Sequence, residues 1–179
     1  MNVTQLAVEN DFKNGQACLV EEAVQRDSQL YEEIVYGGAL CNDASINPEN
    51  PNTVLGDPTE GAFIFLEEKF GENQAFLKEK YPRIFEQPFD SIRKRMTTVH
   101  QINGQNIAYV KGAVDEMLPL CTKILTAEGE RDLTEKILTA LKQSITLCLN
   151  KHFAFLDSLN VSFKLNRKPM LKTISPLLA

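Results

Sequence analysis

The chain has 179 residues, 43% of them hydrophobic and 24% charged, a composition that can bury a core and that excludes disorder as the dominant state. Its formal net charge of -5 argues against a general nucleic-acid surface, although one local basic site for a phosphate ligand remains open. The four cysteines and two histidines are scattered and form no zinc-binding pattern, so no metal ligands are predicted.

Hydrophobic spacing and turn composition predict the elements of the first half of the chain. They are, in order, an irregular or short-strand lead-in over residues 1–16, a helix over 27–40 and a loop over 42–56. A second helix is predicted from Asp57, a natural N-cap, to about Gly71, with Pro58 at the first helical position. A short helix over residues 73–81 follows and is stopped by Pro82.

In the second half of the chain, the spacing of the hydrophobic residues changes from helical to alternating. Residues 96–102 and 106–110 flank Asn103-Gly104, the strongest short turn signal, and predict a β-hairpin. A short helix interrupted by Pro119 and a long helix over residues 133–149 follow. The apolar stretch 145–163 is broken by charged residues and is a poor membrane span, and the N-terminus is neither a signal peptide nor an anchor.

The first of three stretches with possible chemistry is Gly56-Asp57-Pro58-Thr59-Glu60. The simpler interpretation is a well-capped helix start. The functional interpretation places the Glu60 carboxylate at the edge of a pocket, where it could accept the amino group of adenine.

The second stretch is FDSIRKRM, residues 89–96. A purine could stack on Phe89 with its phosphates near Lys94, since base stacking is worth roughly 1–3 kcal/mol and ammonium groups pair well with phosphate. A solvated basic edge strand is the alternative, because lysine and arginine discourage aggregation there.

The third stretch is Tyr109-Val110-Lys111-Gly112-Ala113. A glycine at a strand end would let a flat ring approach the backbone, and Lys111 would supply a donor beside it. The alternative is an ordinary turn from strand to helix.

In this order and spacing, these motifs together closely resemble the nucleotide-binding domain of P-type ATPases, nearest the calcium-type cation pumps. The resemblance rests on Cys41-Asn42-Asp43, GDPTEGA, FDSIRKRM and VKGAVDEMLPLC. It covers roughly residues 27–140 of a domain that we place at residues 1–150. The chain is accordingly expected to be a fragment of such a pump.

The resemblance implies an ATP site, with Mg²⁺ expected only together with the nucleotide. It implies that Glu60 contacts adenine, that Phe89 stacks on it and that Lys94 lies along the phosphates. The deep part of the adenine pocket would be lined by Lys111, Gly112 and Ala113. Family members often have a cation two positions after the phenylalanine, where this chain has Ser91.

The sequence lacks the family's other working parts: the DKTGT motif with the phosphorylated aspartate, the magnesium-binding GDGxND motif and the TGES loop. Phosphoryl transfer depends on a placed nucleophile and metal. We therefore predict no catalytic residue, no turnover and no transport by this chain alone. In the intact family protein, the partners would be the phosphorylation domain and membrane helices of the same chain, on the cytoplasmic side of the membrane.

The end of the chain departs from the family pattern. Where relatives read Ala-Leu-Arg-Val-Leu-Ala after the long helix, this chain reads Leu149-Asn150-Lys151-His152-Phe153-Ala154-Phe155. Degenerate codons for Lys151 and the residues after it permit Ala-Leu-Arg-Val in a shifted frame. We hypothesise a frameshift between about residues 141 and 151, which would make the tail 151–179 non-native and irregular.

The predicted fold class is α+β: a mostly antiparallel twisted sheet flanked by helices, with the 89–113 hairpin in it. The predicted function is ATP binding as the cytosolic nucleotide-binding part of a cation-transporting P-type ATPase. The alternatives are a nucleotide-free regulatory or interaction module, or a non-functional pseudogene product. A soluble phosphatase or kinase would need a catalytic constellation that the sequence does not offer.

Overall fold

The computed structural model of the chain describes residues 5–6, 18–19, 22, 24, 29–126, 128–152 and 161–167. The strands within them are β1 (Gln5–Leu6), β2 (Cys18–Leu19), β3 (Ser45–Asn47), β4 (Asn50–Leu55), β5 (Arg83–Asp90), β6 (Arg95–Ile102), β7 (Gln105–Gly112), β8 (Lys123–Thr126), β9 (Gly129–Asp132) and β10 (Val161–Arg167). The helices are α1 (Gln29–Leu40), α2 (Pro58–Lys69), α3 (Gln74–Lys80), α4 (Val114–Met117) and α5 (Glu135–His152), with a 3-10 turn over Leu118–Leu120. The α+β prediction is confirmed.

A four-stranded antiparallel sheet in the order β10-β7-β6-β5 forms the centre of the described chain. The β6–β7 hairpin turns at Asn103 and Gly104, whose φ angles are 52° and 73°. Positive φ at both central residues suits the right-handed twist of the flanking strands, which is why Asn-Gly is favoured there. The hairpin prediction is confirmed, and β7 runs on to Gly112.

Helix α2 begins as the sequence predicts. The Asp57 carboxylate accepts hydrogen bonds from the backbone N–H of Thr59 at 2.7 Å and of Glu60 at 3.4 Å. Both N–H groups lack partners inside the helix, so this cap fixes its first turn. The chain leaves the helix at Phe70 and Gly71, with φ of 75° at the glycine. The cap thereby fixes the backbone that carries Glu60.

The core lies between one face of the sheet and the helices α1 and α3. Its buried cluster consists of Ala39, Leu40, Cys41, Leu77, Met96, Ile102, Ile107 and Tyr109. Side chains two residues apart on a strand share a face, so Ile107, Tyr109 and Lys111 of β7 lie on the same side. Lys111 also pairs in register with Met96. A lysine therefore ends a row of core positions on the helix-covered face.

Residues 42–56 are more ordered than predicted. The Asn- and Pro-rich segment, predicted to be a loop, contains the hairpin β3–β4, in which Ser45 pairs with Leu55 and Ile46 with Val54. A two-stranded ribbon leaves one side of each strand unpaired, so it tolerates a proline such as Pro51 that lacks an N–H donor. Strands β5, β8 and β9 were not predicted either.

The C-terminal segment requires a correction. Val161–Arg167, inside the tail predicted to be irregular, forms β10 and pairs with β7 from Gly112 to Asn106. Strand pairing uses backbone groups, and β7 would otherwise present an open edge. The sequence Val-Ser-Phe-Lys-Leu-Asn-Arg also alternates apolar and polar residues, a strand signal that the prediction of an irregular tail overlooked. The predictions for residues 153–160 and 168–179 lie outside the described residues, and the 151–179 boundary stays a prediction.

Candidate functional site

Glu60 and Lys111 meet at the end of the sheet. The Lys111 Nζ lies 2.5 Å from Glu60 Oε1, which joins the first turn of α2 to the last residues of β7. The Lys111 and Glu60 side chains are only 9% and 18% exposed, respectively. A buried ammonium needs a compensating charge, and Glu60 provides it. The structure thus brings two of the predicted site residues into direct contact across 51 positions of sequence.

The other oxygen of Glu60 binds the chain just after α1. Its Oε2 accepts hydrogen bonds from the backbone N–H of Asp43 at 2.8 Å and of Ala44 at 3.2 Å. Hydrogen bonds to an ionised acceptor are about twice as strong as neutral ones. The carboxylate is therefore held on both sides, by an ammonium and by two backbone amides.

Gly112 and Ala113 lie against the turn between β5 and β6. A Cβ built on Gly112 would lie 2.5 Å from the Lys94 carbonyl oxygen and 2.8 Å from the Arg95 Cβ. The Ala113 N–H donates to the same Lys94 oxygen at 3.1 Å. The sequence suggested that glycine here admits a ligand ring. The close approach in the structure is that of the Lys94 backbone, so the neighbouring turn alone already requires glycine.

The turn that carries Lys94 is built by Asp90. Its Oδ1 accepts from the backbone N–H of Arg93 at 2.8 Å and of Ile92 at 2.9 Å. These hydrogen bonds, the one from Arg93 foremost, hold the pKa of Asp90 below its ordinary value. Lys94 follows with a φ of 50°, in the left-handed region that non-glycine residues seldom adopt. The two hydrogen bonds to Asp90, the residue just before the turn, therefore fix the backbone of the turn.

Lys94 and Phe89, at the two sides of this turn, are open to solvent. The Lys94 Nζ lies 3.5 Å from Glu116 Oε1 in a pair whose side chains are both exposed. The Phe89 ring is 62% exposed at the end of β5. The turn thus has an exposed aromatic ring before it and an exposed ammonium at its end.

Sequence reasoning overlooked two residues that hold the site together. Asn42 was noted only as part of a family motif, yet it is fully buried and bonded to Glu60 and Ala44. Arg83 was not predicted to belong to the site. Its guanidinium binds Asp43 Oδ1 and Glu86 Oε2, each at 2.8 Å. A lone arginine after a proline carries no sequence signal for such contacts.

Next to this network lies a groove of about 330 Å³. Its lining residues are Asn42, Asp43, Lys78, Pro82, Arg83 and His100. Burial lowers the pKa of His100, whose Nδ1 lies 2.8 Å from the Tyr81 carbonyl oxygen and so donates to it in the neutral ring. Burial also lowers the pKa of Lys78.

Neither a metal-binding cluster nor a membrane-spanning helix occurs among the described residues. No group of three or more metal-ligating side chains comes together in this part of the chain. No helix that the structure describes is both long enough and apolar enough to cross a membrane.

Comparison with known proteins identifies the family. The family model for "P-type ATPase, cytoplasmic domain N" matches residues 30–152. A calcium-transporting ATPase of Listeria monocytogenes is 36% identical over 123 residues, which are 69% of this chain and 14% of that protein. Calcium-transporting ATPase 1 of Bacillus cereus is 39% identical over 135 residues, 75% of this chain and 14% of the relative. The chain belongs to the P-type ATPase cytoplasmic N-domain family.

The likeness extends to further relatives. A probable cation-transporting P-type ATPase of Mycoplasma genitalium is 46% identical over 85 residues, 48% of this chain and 9% of that protein. The chain thus spans about one seventh of the length of the first relatives it matches, since 14% of each is covered.

Proposed function

We propose that this chain binds ATP as the nucleotide-binding part of a cation-transporting P-type ATPase, and that alone it neither transports ions nor transfers a phosphoryl group. The observation that carries the proposal is the contact between Glu60 and Lys111, two motif residues far apart in sequence. Membership of the N-domain family supports it independently.

The side chains present fit the chemistry of an adenine nucleotide. Lys111 has three N–H donors, and Glu60 takes one, which leaves donors for acceptor atoms of a ligand. Phe89 offers an exposed ring for stacking, and Lys94 an exposed ammonium for phosphates. Under this proposal Glu60, Gly112 and Ala113 complete the pocket around the base.

Bound ATP would supply the phosphoryl group used by the whole pump, and Mg²⁺ would arrive with the nucleotide. We assign none of this chain's residues as phosphoryl acceptor. The partners that we propose are the phosphorylation domain and membrane helices of the same longer protein. The proposed location is the cytosolic face of the membrane.

One observation favours a second candidate, a nucleotide-free regulatory or interaction module. Both lysines of the site are already paired with acids, Lys111 with Glu60 and Lys94 with Glu116. Nucleotide phosphates would have to compete with Glu116 for Lys94. That internal neutralisation predicts weak binding.

An NMR titration of the full chain with MgATP separates the two candidates. We expect a dissociation constant of about 1 mM or weaker, equivalent to about -4.1 kcal/mol at 1 mM. Shifts should concentrate at Phe89, Lys111 and Gly112 and spare the β8–β9 ribbon. The absence of any shift up to about 10 mM ATP would overturn the proposed ATP binding and would favour the nucleotide-free module.

A further inference from the structure

Asn42 forms a buried link beneath the Glu60–Lys111 pair. Its side chain is fully buried two residues after the end of α1. Asn42 Nδ2 donates to the Glu60 carbonyl oxygen at 2.9 Å, and Asn42 Oδ1 accepts from the Ala44 N–H at 2.8 Å. One amide group therefore satisfies one backbone acceptor and one backbone donor from two separate segments.

The same two segments hold the Glu60 carboxylate. The Ala44 N–H that donates to Asn42 also lies 3.2 Å from Glu60 Oε2, and the Asp43 N–H donates to that oxygen at 2.8 Å. Asn42 thus contacts the backbone of Glu60 and an amide that orients the Glu60 side chain. The other oxygen of that carboxylate, Oε1, accepts a hydrogen bond from the Lys111 ammonium.

The backbone of Asn42 is fixed as well. Arg83 Nη2 donates to the Asn42 carbonyl oxygen at 3.1 Å and to the Leu40 carbonyl oxygen at 3.3 Å. Asparagine is hard to replace at this point. Aspartate has the same size but lacks the donor, and alanine lacks both donor and acceptor.

We propose that Asn42 is a positioning residue of the site: it fixes the orientation of Glu60 and, through Glu60, the place of the Lys111 ammonium. Asn42 itself does not contact the ligand. The nucleotide part of this inference rests on the proposed ATP binding, whereas its effect on Lys111 does not.

A double-mutant cycle tests the link through ATP affinity. Asn42→Ala should weaken ATP binding by about threefold to tenfold, the scale of a lost hydrogen bond. In a Lys111→Met background the same change should cost less than about twofold, because coupled residues are not additive. Equal losses in both backgrounds, or no loss in either, would overturn the proposal.

Two further variants keep the cycle interpretable. Asn106→Ala, an exposed position on β7, is the matched control and should change ATP affinity in neither background. Asn42→Asp replaces Asn42→Ala if the alanine variant does not fold. It keeps the acceptor for the Ala44 N–H and replaces the donor to Glu60 with a charged oxygen that cannot donate, and the same coupling with Lys111→Met is expected.

A second readout needs no nucleotide. Acetic anhydride modifies accessible lysine amines, and mass spectrometry gives the rate at Lys111 relative to the exposed Lys123. We expect Asn42→Ala and Asn42→Asp to raise that ratio severalfold, with Asn106→Ala unchanged. An unchanged ratio in the Asn42 variants overturns the inference. A raised ratio in a chain that binds no ATP would overturn the proposed function and leave the control of Lys111 by Asn42 in place.

Discussion

Gly112 and Lys94 are in backbone contact, because the strand that ends with the glycine lies directly against the turn that carries the lysine. A methyl group on Gly112 would come within 2.5 Å of the Lys94 carbonyl oxygen, an atom that cannot swing away as a side chain could. The position of one predicted phosphate contact thus depends on the absence of a side chain at another site residue.

Gly112→Ala should lower both stability and ATP affinity. We expect a loss of about 1–3 kcal/mol in the free energy of unfolding, the usual cost of overpacking, measured by urea denaturation. Gly104→Ala is the control: nothing lies within 4 Å of a Cβ there, and only its positive φ is strained. The control should lose about 1 kcal/mol of stability and no ATP affinity. Normal ATP affinity in Gly112→Ala would contradict the coupling to Lys94.

Phe89→Ala and Lys111→Ala should each reduce ATP binding, whereas Arg131→Ala should not. Loss of stacking is worth roughly 1–3 kcal/mol for the exposed Phe89, with little change in stability. Lys111→Ala should also lower the melting temperature, because it leaves the Glu60 carboxylate without its buried partner. Calorimetric titration and thermal melts measure the two effects. Equal losses of ATP affinity in all three variants would mean that the titration reports general charge attraction.

Glu67 should make the protein less stable as the pH rises. The residue is 1% exposed, and burial raises its pKa to about 8, with nearby Glu68 and Glu72 adding to the rise and Lys78 opposing it. The folded state therefore keeps a proton that the unfolded chain loses, so stability falls between the ordinary pKa of 4.5 and about 8.

Glu67→Gln removes that dependence. Its gain in the free energy of unfolding should be greater at pH 8 than at pH 5, by about 3 kcal/mol for a pKa raised this far. Urea denaturation at the two pH values measures it, with Glu79→Gln, at another exposed position, as control. A gain that does not depend on pH would show that Glu67 is ionised in the folded protein.

Removing β10 should expose the edge of β7. We expect a chain shortened by residues 161–179 to melt at a lower temperature and to associate with rising concentration, because an open strand edge pairs with other chains. Thermal melts and light scattering report the two changes. Deletion of residues 168–179 alone keeps β10 and serves as the control. If both shortened chains melt like the full one, β10 contributes nothing to stability.

The frameshift hypothesis makes its own prediction. Replacing the sequence from about Lys151 onward by that of the shifted frame, beginning Ala-Leu-Arg-Val, should raise both the melting temperature and the affinity for ATP. The restored arginine would add a charged hydrogen bond, worth about 1.5–3 kcal/mol. A replacement of the same length with a scrambled order is the control. Equal behaviour of the two chains would refute the hypothesis, as would DNA whose shifted frame does not encode Ala-Leu-Arg-Val at this point.

Local chemistry made part of the fold predictable. The Asp57 cap and the Asn103-Gly104 turn depend on neighbouring residues alone, and both were predicted correctly. Strand β5 was missed because it contains Pro88 and pairs with β6 in an irregular register, so its residues do not show the regular alternation expected of a strand. Its extent follows from pairing with β6, which lies later in the chain.

The contact between Glu60 and Lys111 could not be predicted from the sequence. Motifs named Glu60 and Lys111, but spacing alone could not show that their side chains form an ion pair. Asn42 lies before a run rich in Asn and Pro, where an asparagine normally signals an exposed loop. Only the packed structure reveals that its amide is buried and bonded at both its nitrogen and its oxygen.

Arg83 also links the formation of the candidate site to the packing of β5 against α1. The last turn of α1 contains no basic residue, so its free carbonyl groups and the negative end of the helix dipole lack a local counter-charge. Arg83 supplies it from β5 through the carbonyl of Leu40, 43 positions away. The end of α1, and with it the turn at Asn42, is therefore complete only after the sheet has docked. Formation of the candidate site thus depends on the docking of β5, and a peptide spanning α1 and α2 without β5 would lack the hydrogen bonds from Arg83.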